Sequence, residues 1–244
     1  MKNFTIALAG KRIAVSSLFD STRDFCAEYL AEGEPDFSVA ISPDDIAFER
    51  EKSAMEDAME NIPTRHFSDA YLETLAVYRK IANQMLSHET LLFHGSAIAV
   101  DGEGYLFTAM SGTGKSTHTR LWRNMLGDRA VMVNDDKPLL RFMDDGVWVC
   151  GTPWNGKHHL GTNIMVPLKG ISIIERGETD VITQLTPEEA LPMLMQQSHR
   201  PADPVDMVNM LTLLDRLMQS VKFYRLQCTM NPNAAVVAFE GMKG

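Results

Sequence analysis

Residues 68–86 carry the clearest periodic signal in the chain. Tyr71, Leu72, Leu75, Tyr78, Ala82, Met85 and Leu86 recur at three- and four-residue spacing, which places them along one stripe of a helix. Upstream, the apolar runs are shorter. Residues 4–8 and 12–15 flank Gly10-Lys11 and predict a hairpin. Residues 22–30 are helix-like, and residues 37–41 form a short apolar strand. Residues 44–59 predict an acidic amphipathic helix with Ala47, Met55, Ala58 and Met59 near one face.

Downstream of the long helix the pattern changes to strands. Residues 92–100 and 105–109 are apolar runs joined by Asp101-Gly102-Glu103-Gly104, a tight-turn sequence that favours an antiparallel hairpin. A helix is predicted from the end of the following loop to about residue 126. Strands follow at 130–134, 139–142, 147–151 and 170–175, the second and third turned by Asp144-Asp145-Gly146. Thr186-Pro187-Glu188-Glu189 supplies an N-cap, a first-turn proline and a capping-box glutamate. Pro192 should kink or shorten the helix that starts there. Asp203-Pro204 opens another helix with an apolar Val208, Leu211, Leu214, Leu217 and Met218 face. A strand over 223–228 precedes a last helix opened by Asn231-Pro232.

This pattern divides the chain into a small α/β domain over residues 1–65, a connecting helix over 66–90 and a core over 91–244. With 244 residues there is enough chain to bury a sizeable core, and no internal repeat or low-complexity linker interrupts it. No stretch approaches the roughly 20 apolar residues of a membrane span, and the first residues carry no secretory pattern. Cys26, Cys150 and Cys228 are far apart, without a CxxC pair, as expected of reduced thiols in a cytoplasm. The net charge of −9 is uneven: residues 1–90 hold 16 acidic and 9 basic residues, against 32 and 23 in the whole chain. An acidic chain of this kind is a poor partner for a nucleic-acid backbone, while the near-neutral remainder can hold a polyanion locally. The 16 methionines are scattered and read as core filler.

The chemistry is concentrated after the hairpin. Ala109-Met110-Ser111-Gly112-Thr113-Gly114-Lys115-Ser116-Thr117 lies between a predicted strand and a predicted helix, the context that a Walker A loop requires. Gly112 and Gly114 allow successive amides to face inward at a helix N-terminus, the region from Ser111 to Thr117 cradles phosphates, Lys115 supplies a cation for the β- and γ-phosphates, and Ser116 completes a Mg²⁺ shell. ATP with Mg²⁺ is the expected ligand. The strict pattern begins with Gly where this chain has Ala109.

A second constellation, Val131-Met132-Val133-Asn134-Asp135-Asp136-Lys137, ends an apolar strand in paired carboxylates. One can hold Mg²⁺, with Asp136 and Ser116 as the assigned metal ligands. The other can take a proton from an attacking hydroxyl. Which of Asp135 and Asp136 is the base stays open. Lys157, in Trp154-Asn155-Gly156-Lys157-His158-His159, is either a second phosphate-neutralising cation or part of an ordinary loop. The adjacent histidines do not face one ligand, and Arg200 is a weaker cation candidate.

His94-Gly95, the hairpin, the SGTGKST loop, the Val-Asn-Asp-Asp strand end and Pro167-Leu168-Lys169-Gly170-Ile171 follow one another in an order that resembles the HPr kinase/phosphorylase-like family. Within it, the closer resemblance is to HPr-kinase-related proteins that include peptide-serine kinases. The resemblance covers about residues 91–240. It implies an α/β fold with the P-loop core that this family shares with phosphoenolpyruvate carboxykinase, a mixed, largely antiparallel sheet, and a small N-terminal α/β domain. It also implies that His94, Asp135 and Asp136 surround the γ-phosphate, with Lys169 near the site, and it raises homo-oligomerisation as an open question. Thr117 departs from the family's usual acidic residue and looks more like the carboxykinase loop.

The expectation is a cytoplasmic ATP- and Mg-dependent kinase that phosphorylates a serine-type hydroxyl on a peptide, protein or small molecule, without nucleic-acid or membrane partners. Carboxykinase-like transfer to an enolate and a non-catalytic ATP-sensing module are the alternatives.

Overall fold

The computed structural model describes residues 2–59, 61–110 and 112–244. The chain divides into two compact units, residues 1–84 and 85–244.

The first unit has a three-stranded sheet among the described residues. Strand β1 (Lys2–Leu8) pairs antiparallel with β2 (Lys11–Ser17), and Ala9 and Gly10 turn the hairpin with φ of 47° and 75°, the left-handed pair that suits a two-residue turn. Helix α1 (Asp20–Phe25) crosses over to β3 (Phe37–Ala40), which runs parallel to β2. Ile6, Leu8, Ile13, Val15 and Val39 are buried. Helices α2 (Pro43–Met59) and α3 (Asp69–Leu86) complete the unit. Helix α3 is tied to the sheet by Lys80 and Gln84, which donate to the Ala40 and Ser38 carbonyls at 2.9 and 3.0 Å.

Helix α2 overturns one expectation. Ala47, Met55, Ala58 and Met59 are exposed, and the buried positions are Ile46, Glu49 and Asp57. The helix is held by ion pairs rather than by an apolar stripe: Arg79 reaches Glu49, and Arg65 reaches Asp57. A pattern of apolar residues cannot show which face a charged partner from elsewhere in the chain will claim.

The second unit is a nine-stranded mixed sheet among the described residues, with helices against it. Its elements are β4 (Thr90–Leu92), β5 (Ser96–Val100), β6 (Glu103–Thr108), α4 (Lys115–Leu126), β7 (Ala130–Asn134), β8 (Leu139–Met143), β9 (Gly146–Cys150), β10 (Met165–Arg176), β11 (Val181–Leu185), α5 (Pro187–Gln197), α6 (Pro204–Ser220), β12 (Lys222–Cys228) and α7 (Asn233–Met242). The order is β4-β8-β9-β10-β6-β5-β7, with β12 on β10 and β11 on β12. The long strand β10 joins the two halves. Its start pairs antiparallel with β9, and its remainder lies parallel to β6 on one side and β12 on the other. One core gathers Leu106, Leu140, Phe142, Leu194, Leu213, Leu217 and Phe223; another gathers Ile98, Tyr105, Phe107, Trp122, Tyr224 and Ala238. Neighbouring residues of β6 thus enter opposite cores, which is why its run is continuously apolar.

The apolar run at 92–100 is two strands, not one. The chain leaves β4, which pairs with β8, passes Phe93–His94–Gly95, and enters β5, which pairs with β6 and β7. A Cβ on Gly95 would lie 2.9 Å from Leu106 Cδ2 and 3.0 Å from the Phe107 carbonyl, so the crossing requires glycine. The expected hairpin turn is present, with φ of 52° at Asp101 and 87° at Gly102. The capping box at Thr186 is formed, yet α5 continues through Pro192 to Gln197. No helix among the described residues is long and apolar enough to cross a membrane.

Candidate functional site

Strand β6 ends at Thr108, and α4 begins at Lys115. Between them Gly112 and Gly114 have φ of 73° and 127°, and a Cβ on either would meet nothing within 4 Å. The demand for glycine here is therefore conformational rather than steric. The first turn of α4 has no side-chain cap and no acidic residue, so its free amides and the helix dipole favour an anion. Lys115 Nζ lies at the same end, 3.3 Å from the Ala109 carbonyl. Burial holds its pKa below the ordinary lysine value, while the Asp136 charge acts in the opposite direction. Ser116 is exposed, Thr113 and Gly114 are half-buried, and Thr117 faces an adjoining cleft. Ser111 lies outside the described residues. An open amide cradle with a lysine at a helix N-terminus fits a polyphosphate.

Strand β7 delivers the carboxylates. Asn134 is fully buried and fixes the strand end: its Oδ1 accepts from the Asp136 and Lys137 amides at 2.8 and 2.6 Å, and its Nδ2 donates to the carbonyls of Thr152 and Trp154 and to Thr152 Oγ1. Asp136 then faces His94, with Oδ1 3.2 Å from Nε2, and Lys137 Nζ is 3.9 Å from Oδ2. Burial pushes the Asp136 pKa up, but the His94 hydrogen bond and the Lys137, His94 and Lys115 charges bring it below the usual carboxylate range. His94 is braced from three sides. Its amide donates to the Gln197 carbonyl at 2.8 Å, its carbonyl accepts from Thr108 Oγ1 at 3.0 Å, and the Gly95 amide donates to the Asp136 carbonyl at 2.9 Å.

Asp135 differs from its neighbour. It is 5% exposed, and its Oδ1 accepts from the Gly156 amide at 2.6 Å. Its pKa is raised, chiefly by burial, against the opposing effect of the Gly156 and Leu160 amides. Asp135 thus anchors the turn over 156–160, and Lys157 stands exposed on that turn beside the exposed His158 and His159. The structure brings His94, Lys115 and Asp136 together, with Asp135 next to them. Lys169 is drawn to Glu103 at 3.0 Å. Arg200 is exposed, two residues beyond the Ser198 that bridges to Phe93. Among the described residues no group of three or more His, Cys, Asp or Glu could hold a metal. A Mg²⁺ that arrives with phosphates needs only one or two protein carboxylates, and Asp136, half-buried with its carboxyl held below the usual carboxylate range, fits that lesser demand.

Two features escaped the sequence reading. One is a cleft of about 530 Å³ beside the loop, reaching from Gly112 to Met230. The other is His118 on its wall, whose Nε2 accepts from Trp122 Nε1 at 3.0 Å. The four-residue spacing of His118 and Trp122 within a helix was a usable signal. The Arg176 contact with the Gly112 carbonyl, at 2.8 Å, had none.

No protein-family model matches the chain, and no curated protein matches it. Among solved structures, the chain is similar to the Hpr(Ser) kinase/phosphatase from Coxiella burnetii, at 10% identity and a TM-score of 0.36, over 63% of this chain and 99% of that one. At that level the likeness is a distant one in fold, and the functional reading rests on the residues of the site.

Proposed function

We propose that the second unit is a P-loop kinase core that uses ATP and Mg²⁺ to phosphorylate a serine-type hydroxyl of a peptide, protein or small molecule. The carrying observation is the meeting of Lys115, at an uncapped helix N-terminus, with the Asp136–His94 pair. In this reading the α4 amides and Lys115 hold the phosphate oxygens. Asp136, kept ionised by its cationic neighbours, holds the metal together with Ser116 Oγ, and His94 orients the Asp136 carboxylate. Bound Mg²⁺ neutralises charge on the transferring phosphoryl group. Asp135 is the better base of the two, because burial favours its protonated form and so strengthens its pull on a hydroxyl proton. The turn at 156–160 must lift for an acceptor to reach it, and Lys157 would then stand beside the transferred group.

The test is a mass-spectrometric search for transfer from ATP and Mg²⁺ to serine, threonine, hydroxylated metabolites and serine-ended peptides. Asp135→Asn should bind ATP normally and lose transfer by about a thousandfold or more. Retained transfer in Asp135→Asn would overturn the base assignment.

One observation favours a second reading, a non-catalytic ATP sensor: Asp135 is closed off beneath the 156–160 turn by Gly156 and Leu160. Tight ATP binding without transfer to any acceptor would select it.

A further inference from the structure

The cleft beside the loop lies at the C-terminal ends of three mutually parallel strands. Strands β6, β10 and β12 are in register there, with Ile173 opposite Thr108 and Arg176 opposite Cys228. Ligands of α/β sheets collect at such ends, and about 530 Å³ is an ordinary size for a small-molecule site. Gly112 and Thr117 form one rim, Leu121 and Ile174 give apolar wall, and Met230, 82% exposed, stands at the far lip. Asp180 braces that lip by accepting from the Thr229 amide and hydroxyl at 2.8 and 3.0 Å and from Asn233 Nδ2 at 3.2 Å.

The wall carries one buried polar side chain without a full set of partners. His118 is 2% exposed, with Phe107 packed edge-on at 4.7 Å between ring centroids. Trp122 Nε1–H can only donate, so His118 Nε2 is the acceptor and the ring proton sits on Nδ1. Burial pushes the His118 pKa down to about 4 against the opposing charge of Asp180, which keeps the ring neutral and this tautomer in place. Nδ1 is shut off from solvent and has no hydrogen-bond partner among the described residues, so a ligand in the cleft reaches it only as the wall shifts to admit the ring. A buried donor left this way costs stability unless something accepts from it.

We propose that the cleft is the base subsite of the bound nucleotide and that the His118 Nδ1–H donates to a ring nitrogen of a purine. This rests on the phosphate-loop reading above and extends it to the other end of the same molecule. The glycine-bearing loop borders both regions, so one ligand with a polyphosphate and a flat heteroaromatic ring can occupy both. Leu121 and Ile174 offer a flat ring apolar wall, His118 supplies a donor behind them, and the Thr117, Glu175, Arg176 and Thr229 side chains at the margins can meet its polar edge. Trp122 acts as a positioning residue, because its indole fixes which His118 nitrogen bears the proton.

Calorimetric titration of the full chain with MgATP and with magnesium tripolyphosphate separates the two ends. The intact protein should bind ATP at least about tenfold more tightly than tripolyphosphate. His118→Phe should lose about tenfold in ATP affinity and leave tripolyphosphate unchanged. His118→Asn, whose amide nitrogen falls near the position of Nδ1, should keep much of the preference. In a histidine-selective ¹H–¹⁵N spectrum, the His118 Nδ1–H signal should move on adding ATP and stay in place on adding tripolyphosphate. Equal affinity for the two ligands in the intact protein overturns the base subsite. So does an equal loss of both ligands in His118→Phe, or an unmoved Nδ1–H signal at saturating ATP. If His118→Phe does not fold, the comparison of ligands in the intact protein and the spectrum still decide. Failure of tripolyphosphate to bind the intact protein at all would instead count against the phosphate-loop reading.

Discussion

The two units differ in how completely they match their buried polar groups. In the first, Glu49, Asp57 and Glu73 are buried, and each is matched: Arg79 and Arg65 serve the first two. Glu73 takes the Leu18 and Phe19 amides and the Thr22 hydroxyl. In the second unit His118 Nδ1, Arg123 Nε, Asn155 Oδ1 and Ser172 Oγ are buried without partners; the first unit has no such atom among the described residues. A matched buried charge fixes a fold, and its energy is spent on specifying geometry. An orphaned donor on the wall of a cleft marks unfinished business that a ligand can complete. The comparison therefore assigns architecture to Glu73 and recognition to His118.

The sharpest way to break it is Glu73→Ala. Two part-buried amides and a buried hydroxyl would be left without an acceptor, which should cost about 4 kcal/mol of unfolding free energy in denaturant titration. ATP affinity of protein still folded at low denaturant should not change. A loss of affinity without a loss of stability would give Glu73 a role in binding that the comparison denies it.

Lys115→Ala is next in size. Removing the cation at the α4 N-terminus should weaken triphosphate binding by about 100-fold, or about 2.7 kcal/mol, as read by calorimetry. Stability should hold or rise slightly, because a half-buried lysine whose pKa is depressed is itself a cost.

What could be read from the sequence follows this same division. The strand, glycine loop and helix, the hairpin turn at Asp101-Gly102 and the caps at Thr186 and Asp203 are local requirements of the backbone, and each leaves a residue-type signature within a few positions. The partners of buried polar groups leave none. Glu73 meets Leu18 across 55 positions, and His118 shares its cleft with Ile174 and Met230. The split at Phe93–Gly95 and the added strand β11 depend on which distant strand each segment pairs with. The buried face of α2 depends on arginines outside it. The residues of the Asp-Asp strand end could be named in advance, but not the inequality between them, which arises because the Gly156 turn covers one carboxylate and His94 meets the other.

pH gives a third, smaller handle. The folded-state pKa of His118, about 4, lies below the ordinary histidine value of about 6.5. The unfolded chain therefore binds a proton at pH values where the folded chain does not. The stability tied to the neutral ring is present above about pH 6.5 and is lost as the pH falls toward 4. Between about pH 7.5 and 5 this amounts to about 2 kcal/mol, seen as the difference between the intact protein and His118→Phe in parallel denaturation series. ATP should reduce the acid sensitivity, since a ligand that accepts from Nδ1–H selects the neutral ring. Identical pH profiles for the two proteins would show that His118 titrates normally and would remove the electrostatic support for a fixed tautomer.

The finest distinction lies within the second unit itself. Ser172 Oγ is as orphaned as His118 Nδ1, and the residue is fully buried in β10, but it does not line the cleft. If an unpartnered group matters to ligands only where a ligand can reach it, Ser172→Ala removes a desolvated hydroxyl and nothing else. Stability should rise by up to about 1 kcal/mol, and the affinities for ATP and tripolyphosphate should stay as they were. A destabilised Ser172→Ala would mean that the hydroxyl has found a partner, such as an internal water. A change in ATP affinity would mean that orphaned groups along β10 act on the site at a distance, and position on the cleft wall would no longer separate recognition from architecture.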